Sequence, residues 1–144
     1  MDAFDVTDVK TRLMKDGDVP TVLSSTWAEI PEKGMISAQR GGPLDASFVA
    51  EVGSRLVGFV LARIIYVGRP MVGVCQLHLI AVRPEYQGRG IGSMLLDSLH
   101  GYCKEQGIHT IRALVDRDDS RLIEYFGRLG FHQSDKVNLD ISWD

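Results

Sequence analysis

The sequence predicts an α/β (α+β) fold, a mixed central β-sheet flanked by helices, as one domain over residues 1–144. Three observations lead there. Two strand-like runs are joined by a tight hairpin turn. A later strand is reached only through a helix, and two helical stretches carry an apolar stripe along one face. Hairpin-joined strands beside helix-joined strands imply a sheet of mixed direction with helices packed on its faces.

The elements follow in order. Val9 to Met14 reads as a short strand, and Asp18 is placed to cap a helix that Val19, Val22 and Leu23 continue towards Trp27. Residues 31–43, with Gly34, Gly41, Gly42 and a proline at each end, read as a loop inside the domain. Phe48 to Val52 and Leu56 to Tyr66 are rich in β-branched and aromatic residues, and Gly53-Ser54 supplies the turn between them. Met71 to Val82 is a further apolar strand, ended by Arg83-Pro84. Ile91, Met94, Leu95, Leu99 and Tyr102 then form one stripe of a helix reaching about Gln106, closed by Gly107. His109 to Val115 reads as a strand. Asp118 or Asp119 caps a last helix bearing Leu122, Tyr125, Phe126 and Leu129, ended by Gly130. Phe131 to Asp140 is expected to supply one or two final strands, and an edge strand there would be free to pair in a homodimer.

Composition excludes several functions. With 16 Lys plus Arg against 19 Asp plus Glu, the formal charge is −3, which argues against a nucleic-acid partner. No apolar run approaches the ~18 residues that span a bilayer, so no membrane partner is expected. Two cysteines, Cys75 and Cys103, make no disulfide framework, and the start Met1-Asp2-Ala3-Phe4-Asp5 carries no secretory leader. A cytoplasmic location is expected. No His/Cys/Asp/Glu group has metal-ligand spacing, so no metal is expected.

The informative stretch is residues 76–93. A strand runs into Gln87-Gly88-Arg89-Gly90-Ile91-Gly92, and that turn runs into a helix. Alternating glycines let backbone approach a ligand, and the first helical amides point outward at the positive end of the dipole. Such a turn suits phosphate or pyrophosphate, although it could also simply tighten the connection. A dinucleotide fingerprint fits poorly, because residues 83–87 separate strand from glycines and Ser93 stands where the third glycine belongs. Asp116 alone imitates its acidic residue. A Walker A loop fails, since no Gly-Lys-Ser/Thr follows.

Gln87-Gly88-Arg89-Gly90-Ile91-Gly92 resembles the Q/R-x-x-G-x-G/A signature of the GNAT acetyltransferases, with Gln87, Gly90 and Gly92 in the fixed places. Ile80 to Tyr86 is similar to the family's approach to that loop, and Asp119 to Phe131 resembles its second conserved block. The resemblance implies an N-acetyltransferase that uses acetyl-CoA as co-substrate. Pyrophosphate would meet the amides of Gly88, Arg89, Gly90, Ile91, Gly92 and Ser93, and pantetheine would pair with the strand at Ile80, Ala81 and Val82. Gln87, Asp119 and Phe126 count with these as cofactor-binding positions. The acceptor would be a primary amine, on a small molecule or at a protein N-terminus or lysine. It would attack the thioester directly in a ternary complex. A strand amide near Ile80 would stabilise the oxyanion.

Catalytic groups are sought on the strand. Period two puts Val74, Gln76, His78, Ile80 and Val82 on one face, and Cys75, Leu77, Leu79 and Ala81 on an apolar core face. Many relatives carry a glutamate base where Gln76 stands, and an amide cannot serve. His78 matches a strand histidine of the arylalkylamine acetyltransferases and is the candidate base. The family's general-acid tyrosine falls at Phe126, one residue from Tyr125, the candidate acid. Asp119 replaces the family's capping asparagine. Cys75 and Cys103 read as core. Glu51, Arg63, Met35 and Trp27 are weaker acceptor-site candidates. The net charge is compatible with a cationic acceptor but too small to select one. A CoA-binding sensor without turnover is the alternative, and a dinucleotide-binding fragment the weaker third.

Overall fold

The computed structural model describes residues 6–28 and 44–144, in two compact units, Met1–Leu114 and Val115–Asp144. The expected loop over residues 31–43, with Met35, lies outside the described residues. The first unit holds a five-stranded sheet in the order β1-β2-β3-β4-β5. Its strands are β1 Val9–Leu13, β2 Phe48–Val52, β3 Arg55–Val67, β4 Val72–Val82 and β5 Ile111–Ala113. Each of the first three pairings is antiparallel, and β4 pairs with β5 in parallel. The mixed sheet is thus the expected one. Among the described residues no helix is long and apolar enough to cross a membrane.

Alternation along β3 separates two cores. Phe59 and Leu61 point to one face, where Met14, Val22, Leu44 and Val49 bury against them and Trp27, Leu79 and Ala81 complete the cluster. Gly58, Val60 and Ala62 take the opposite face, under helix α2, Ile91–Glu105. That helix buries Ile91, Leu95, Leu99 and Cys103, close to the stripe expected from its spacing. Gly58 lets it approach: a Cβ there would lie 3.1 Å from the Ala81 carbonyl oxygen and 3.4 Å from Ile91 and Leu95 side-chain carbons. The one buried polar residue among those described, Ser47, accepts the Ala62 N–H through its hydroxyl oxygen at 2.9 Å. It satisfies the ladder beside the irregularity between Leu61 and Ala62 of β3.

Three expectations need correction. The first helix, α1, covers only Val19–Leu23. The Ser24 and Ser25 hydroxyls both donate to the Thr21 carbonyl, at 3.1 and 3.2 Å, drawing that turn out of the helical pattern. Asp18 does not cap it with its side chain. Its carboxylate accepts from Arg12 and from the Lys15 N–H, each at 2.8 Å, and the Arg12 hydrogen bond holds its pKa below the ordinary value. β5 is also shorter than the expected span of His109 to Val115.

The second unit contains helix α3, Ser120–Arg128, capped by Asp119, whose Oδ1 accepts the Leu122 N–H at 3.2 Å. After Gly130 the chain to Asp144 forms no strand, so the expected final strands over residues 131–140 are absent. The homodimer edge expected there falls with them. Val137, Leu139, Ile141 and Trp143 keep the alternation of a strand but stand 82–90% exposed, with no ladder formed by described residues. Alternation without a partner strand does not hold an extended segment.

The close approach at Gly58 is testable. Gly58→Val should destabilise the protein by about 1–3 kcal/mol, read as a lower urea midpoint, because the added carbons must displace α2 or the Ala81 backbone. An unchanged midpoint would refute that packing.

Candidate active site

The site begins where β4 ends. Arg83 closes the ladder: its N–H donates to the Val57 carbonyl at 2.8 Å and its Nε to the Leu56 carbonyl at 2.8 Å. Its guanidinium lies over the Trp27 ring, 5.3 Å from the centroid, so Trp27 is tied to the strand exit as well as to the core. In an antiparallel ladder, residues alternate between bonding the partner and facing away. With Arg83 bonded to Val57 and Ala81 opposite Phe59, Ala81 bonds towards β3, and Ile80 and Val82 turn their backbone groups to the other edge.

That other edge is open. β5 pairs only with Cys75, Gln76 and Leu77 of β4. From His78 to Val82, no described strand lies alongside. The Val82 carbonyl is taken by Gln87, whose Nε2 donates to it at 2.9 Å. Gln87 therefore anchors the loop to the strand end with its own amide. The N–H groups of Ile80 and Val82 and the Ile80 carbonyl remain on the open edge. Of the three expected pairing residues, Ala81 is the one whose backbone is spent within the sheet.

Between Gln87 and α2 the chain needs glycine. Gly88 has φ 77° and Gly90 φ 84°, and a Cβ at either would meet open space. Backbone conformation, not crowding, fixes these glycines. Gly90 is the N-cap of α2, no side chain caps that end, and its first turn carries no acidic residue. The amides of Ile91, Gly92 and Ser93 thus face outward at the positive end of the helix dipole.

The phase of β4 differs from simple alternation. Leu79 lies opposite Leu61 and Leu77 opposite Ala62, so His78 is an extra residue, a β-bulge. The bulge shifts the pattern by one. Cys75 and Leu77 share the α2 face with Ile80 and Val82, whereas Leu79 and Ala81 join the Phe59 core on the face of Gln76. The expected division of β4 is therefore correct only up to His78. Gln76 lies between Arg63 of β3 and Arg112 of β5 in one cross-strand row.

Partial desolvation, and then the positive charge of Arg63, lower the His78 pKa below the ordinary value of 6.5. The imidazole is therefore neutral near pH 7, as a base must be. Glu51 is held by Arg12 at 3.1 Å. Cys75 and Cys103 are buried against one another as core, and their contact and burial push the Cys75 thiol up. Among the described residues no group of three or more His, Cys, Asp or Glu could hold a metal.

The second unit carries the remaining candidates. Asp119 spends its carboxylate on the α3 cap. Phe126 is buried, 5.0 Å from the Phe131 ring centroid. Tyr125 is half-buried, edge-on to Phe126 at 5.7 Å, with Arg128 6.0 Å from its ring centroid. Burial raises its pKa against the smaller opposing effect of Arg128, so the phenol keeps its proton. Arg112 stands in register with Gln76, a placement that has no signal in periodicity.

The family described as the acetyltransferase (GNAT) family matches residues 18–131. An uncharacterized N-acetyltransferase of Methanocaldococcus jannaschii is 33% identical over 94 residues, 65% of this chain and 42% of that protein. A mycothiol acetyltransferase of Streptomyces avermitilis is 30% identical over 124 residues, 79% of this chain and 39% of that protein. The chain spans less than half the length of these curated relatives. Among solved structures, the aminoglycoside N-acetyltransferase AAC(6')-Iy with a bisubstrate analogue superposes with a TM-score of 0.72 at 18% identity, over 94% of this chain and 99% of that one. A ribosomal-protein-alanine N-acetyltransferase from Brucella melitensis gives 0.69 at 20% identity, again over 94% and 99%. These likenesses show the fold.

The charge beside His78 gives a titration prediction. Its imidazole should titrate below 6.5 by proton NMR, and Arg63→Gln should move that pKa upward, since a repelling charge is removed. The corresponding stability is fully present above pH 6.5 and is lost as pH falls through the lowered folded value. A downward or absent shift in Arg63→Gln would contradict the assignment.

Proposed function

The chain belongs to the acetyltransferase (GNAT) family, and we propose that it transfers an acetyl group from acetyl-CoA to a primary amine. One observation carries the reading. An uncapped, glycine-led helix N-terminus stands beside a strand edge whose Ile80 and Val82 amides have no strand partner among the described residues. The first element suits the pyrophosphate, held by the amides from Gly88 to Ser93. The second suits the pantetheine amides, which would pair with Ile80 and Val82 as an added strand. The two structural units are taken as one domain, because the family match runs across the boundary after Leu114. Two buried free thiols accord with a cytoplasmic location.

The reaction asks little covalent chemistry of the protein. The neutral amine attacks the thioester carbonyl, a C–N bond forms and the C–S bond breaks. The proton from nitrogen passes to neutral His78, directly or through a water. The thiolate leaves and takes a proton from solvent. The Ile80 N–H, on the open edge, is the donor placed to stabilise charge on the carbonyl oxygen, an effect worth several kcal/mol where such donors are preorganised. Gln76 cannot accept the proton. Its place between two arginines suits binding.

Two measurements test this. Thiol release with acetyl-CoA over a panel of primary amines should show turnover, and His78→Ala should lower kcat/KM by about 10²-fold or more with loss of the acidic limb of the pH profile. Acetyl-CoA binding without turnover on any amine would instead support the sensor reading. Gly90→Ala must force a side chain to φ 84°, at about 1–2 kcal/mol, so acetyl-CoA should bind about tenfold more weakly by calorimetry. Unaltered binding would remove the loop from the cofactor site.

A further inference from the structure

On the Gln76 face of the sheet, three strands bring a row of side chains together: Arg63 on β3, Gln76 on β4 and Arg112 on β5. His78, the bulge residue two positions along β4, lies close enough to Arg63 to feel its charge. Neighbouring strands are about 4.8 Å apart, so the two arginine Cα positions lie on the order of 10 Å from each other. Two guanidiniums extending from that spacing can converge on one small anion.

Neither guanidinium forms an ion pair or hydrogen bond with a described residue. The other arginines near the sheet are engaged: Arg12 with Asp18 and Glu51, Arg55 with Glu85, and Arg83 with the Leu56 carbonyl and Trp27. Asp45 accepts the Ile64 N–H at 3.4 Å and Glu51 is held by Arg12, and neither pairs with Arg63 or Arg112. A chain with formal charge −3 thus keeps two cations in one cross-strand row with no carboxylate partner among the described residues.

We infer that the acceptor is a primary amine that also carries a carboxylate, held by Arg63 and Arg112 on either side of Gln76. The inference rests on the acetyl-transfer reading and names the acceptor class of that same site. Arginine suits the task because its planar fork binds carboxylate through paired N–H donors. The Gln76 amide, between them, can donate a third hydrogen bond while adding no charge. The same field favours the chemistry, since nearby positive charge disfavours an ammonium and leaves more of the amine neutral for attack. A polycationic acceptor would meet repulsion here.

The test uses matched amines in the thiol-release assay: alanine against alaninamide, phenylalanine against phenethylamine, and spermidine as a polycation. Acetyl-CoA affinity is measured in parallel by calorimetry. The carboxylate member of each pair should have the lower KM, by about tenfold or more. Arg63→Gln and Arg112→Gln should each erode that preference, and Arg63→Glu should shift it towards the uncharged or cationic amine. Arg63→Lys, which keeps charge but not the fork, should keep part of it. Acetyl-CoA affinity should stay unchanged in all four, which also shows that they fold. Turnover indifferent to the carboxylate, or best with spermidine, would overturn the inference while leaving acetyl transfer standing. Thiol release from no amine would overturn the acetyl-transfer reading, and this inference with it.

Discussion

The hydrogen bond from the Arg83 N–H to the Val57 carbonyl, 2.8 Å long, sets the phase of the last part of β4, and the rest of the site depends on that phase. It turns the backbone groups of Ile80 and Val82 away from β3. Since β5 stops opposite Leu77, those groups reach an edge that the sheet leaves open. Gln87 then takes the Val82 carbonyl and fixes where the loop leaves the strand. The glycines at 88 and 90 follow with positive φ, and α2 starts with bare amides. Each step constrains the next, so an open strand edge and an uncapped helix start come to lie on one stretch of chain.

The electrostatics divide in the same way. The anion proposed at the loop would be met by backbone amides and a helix dipole, which is compatible with a formal charge of −3. Side-chain cations are instead placed on the Gln76 face, where Arg63 and Arg112 flank the strand that carries His78. Partial burial, and then the charge of Arg63, hold the His78 imidazole below its ordinary pKa. On the proposed reading, a neutral imidazole, a neutral amide and two cations suit a nucleophile that must arrive without its extra proton.

Much of this was legible in the sequence. The glycine-rich turn was readable because positive φ has a residue signature, and the α2 stripe because burial on one helix face repeats every three to four positions. The hairpin between Phe48 and Tyr66 announced itself through Gly53. Pairing was not readable. The bulge at His78 reverses the faces of Leu79 and Ile80, yet nothing in an unbroken apolar run marks where the extra residue sits. Arg112 comes beside Gln76 only through the register of β5 with β4. The strands expected over residues 131–140 do not form, since a strand is completed by its neighbour and a single segment cannot specify one. Asp18 was similar: its type suited a cap, but Arg12 across the turn claimed its carboxylate.

The central claim is that the open edge of β4 and the first amides of α2 together hold acetyl-CoA. The most direct measurement is amide hydrogen exchange and chemical-shift perturbation on nitrogen-15-labelled protein titrated with acetyl-CoA. The account predicts slowed exchange and the largest shifts at Ile80, Val82 and the amides from Gly88 to Ser93, with Ala81, already bonded towards β3, less changed in exchange. Saturable binding that left those amides untouched, or perturbed only residues elsewhere, would contradict it.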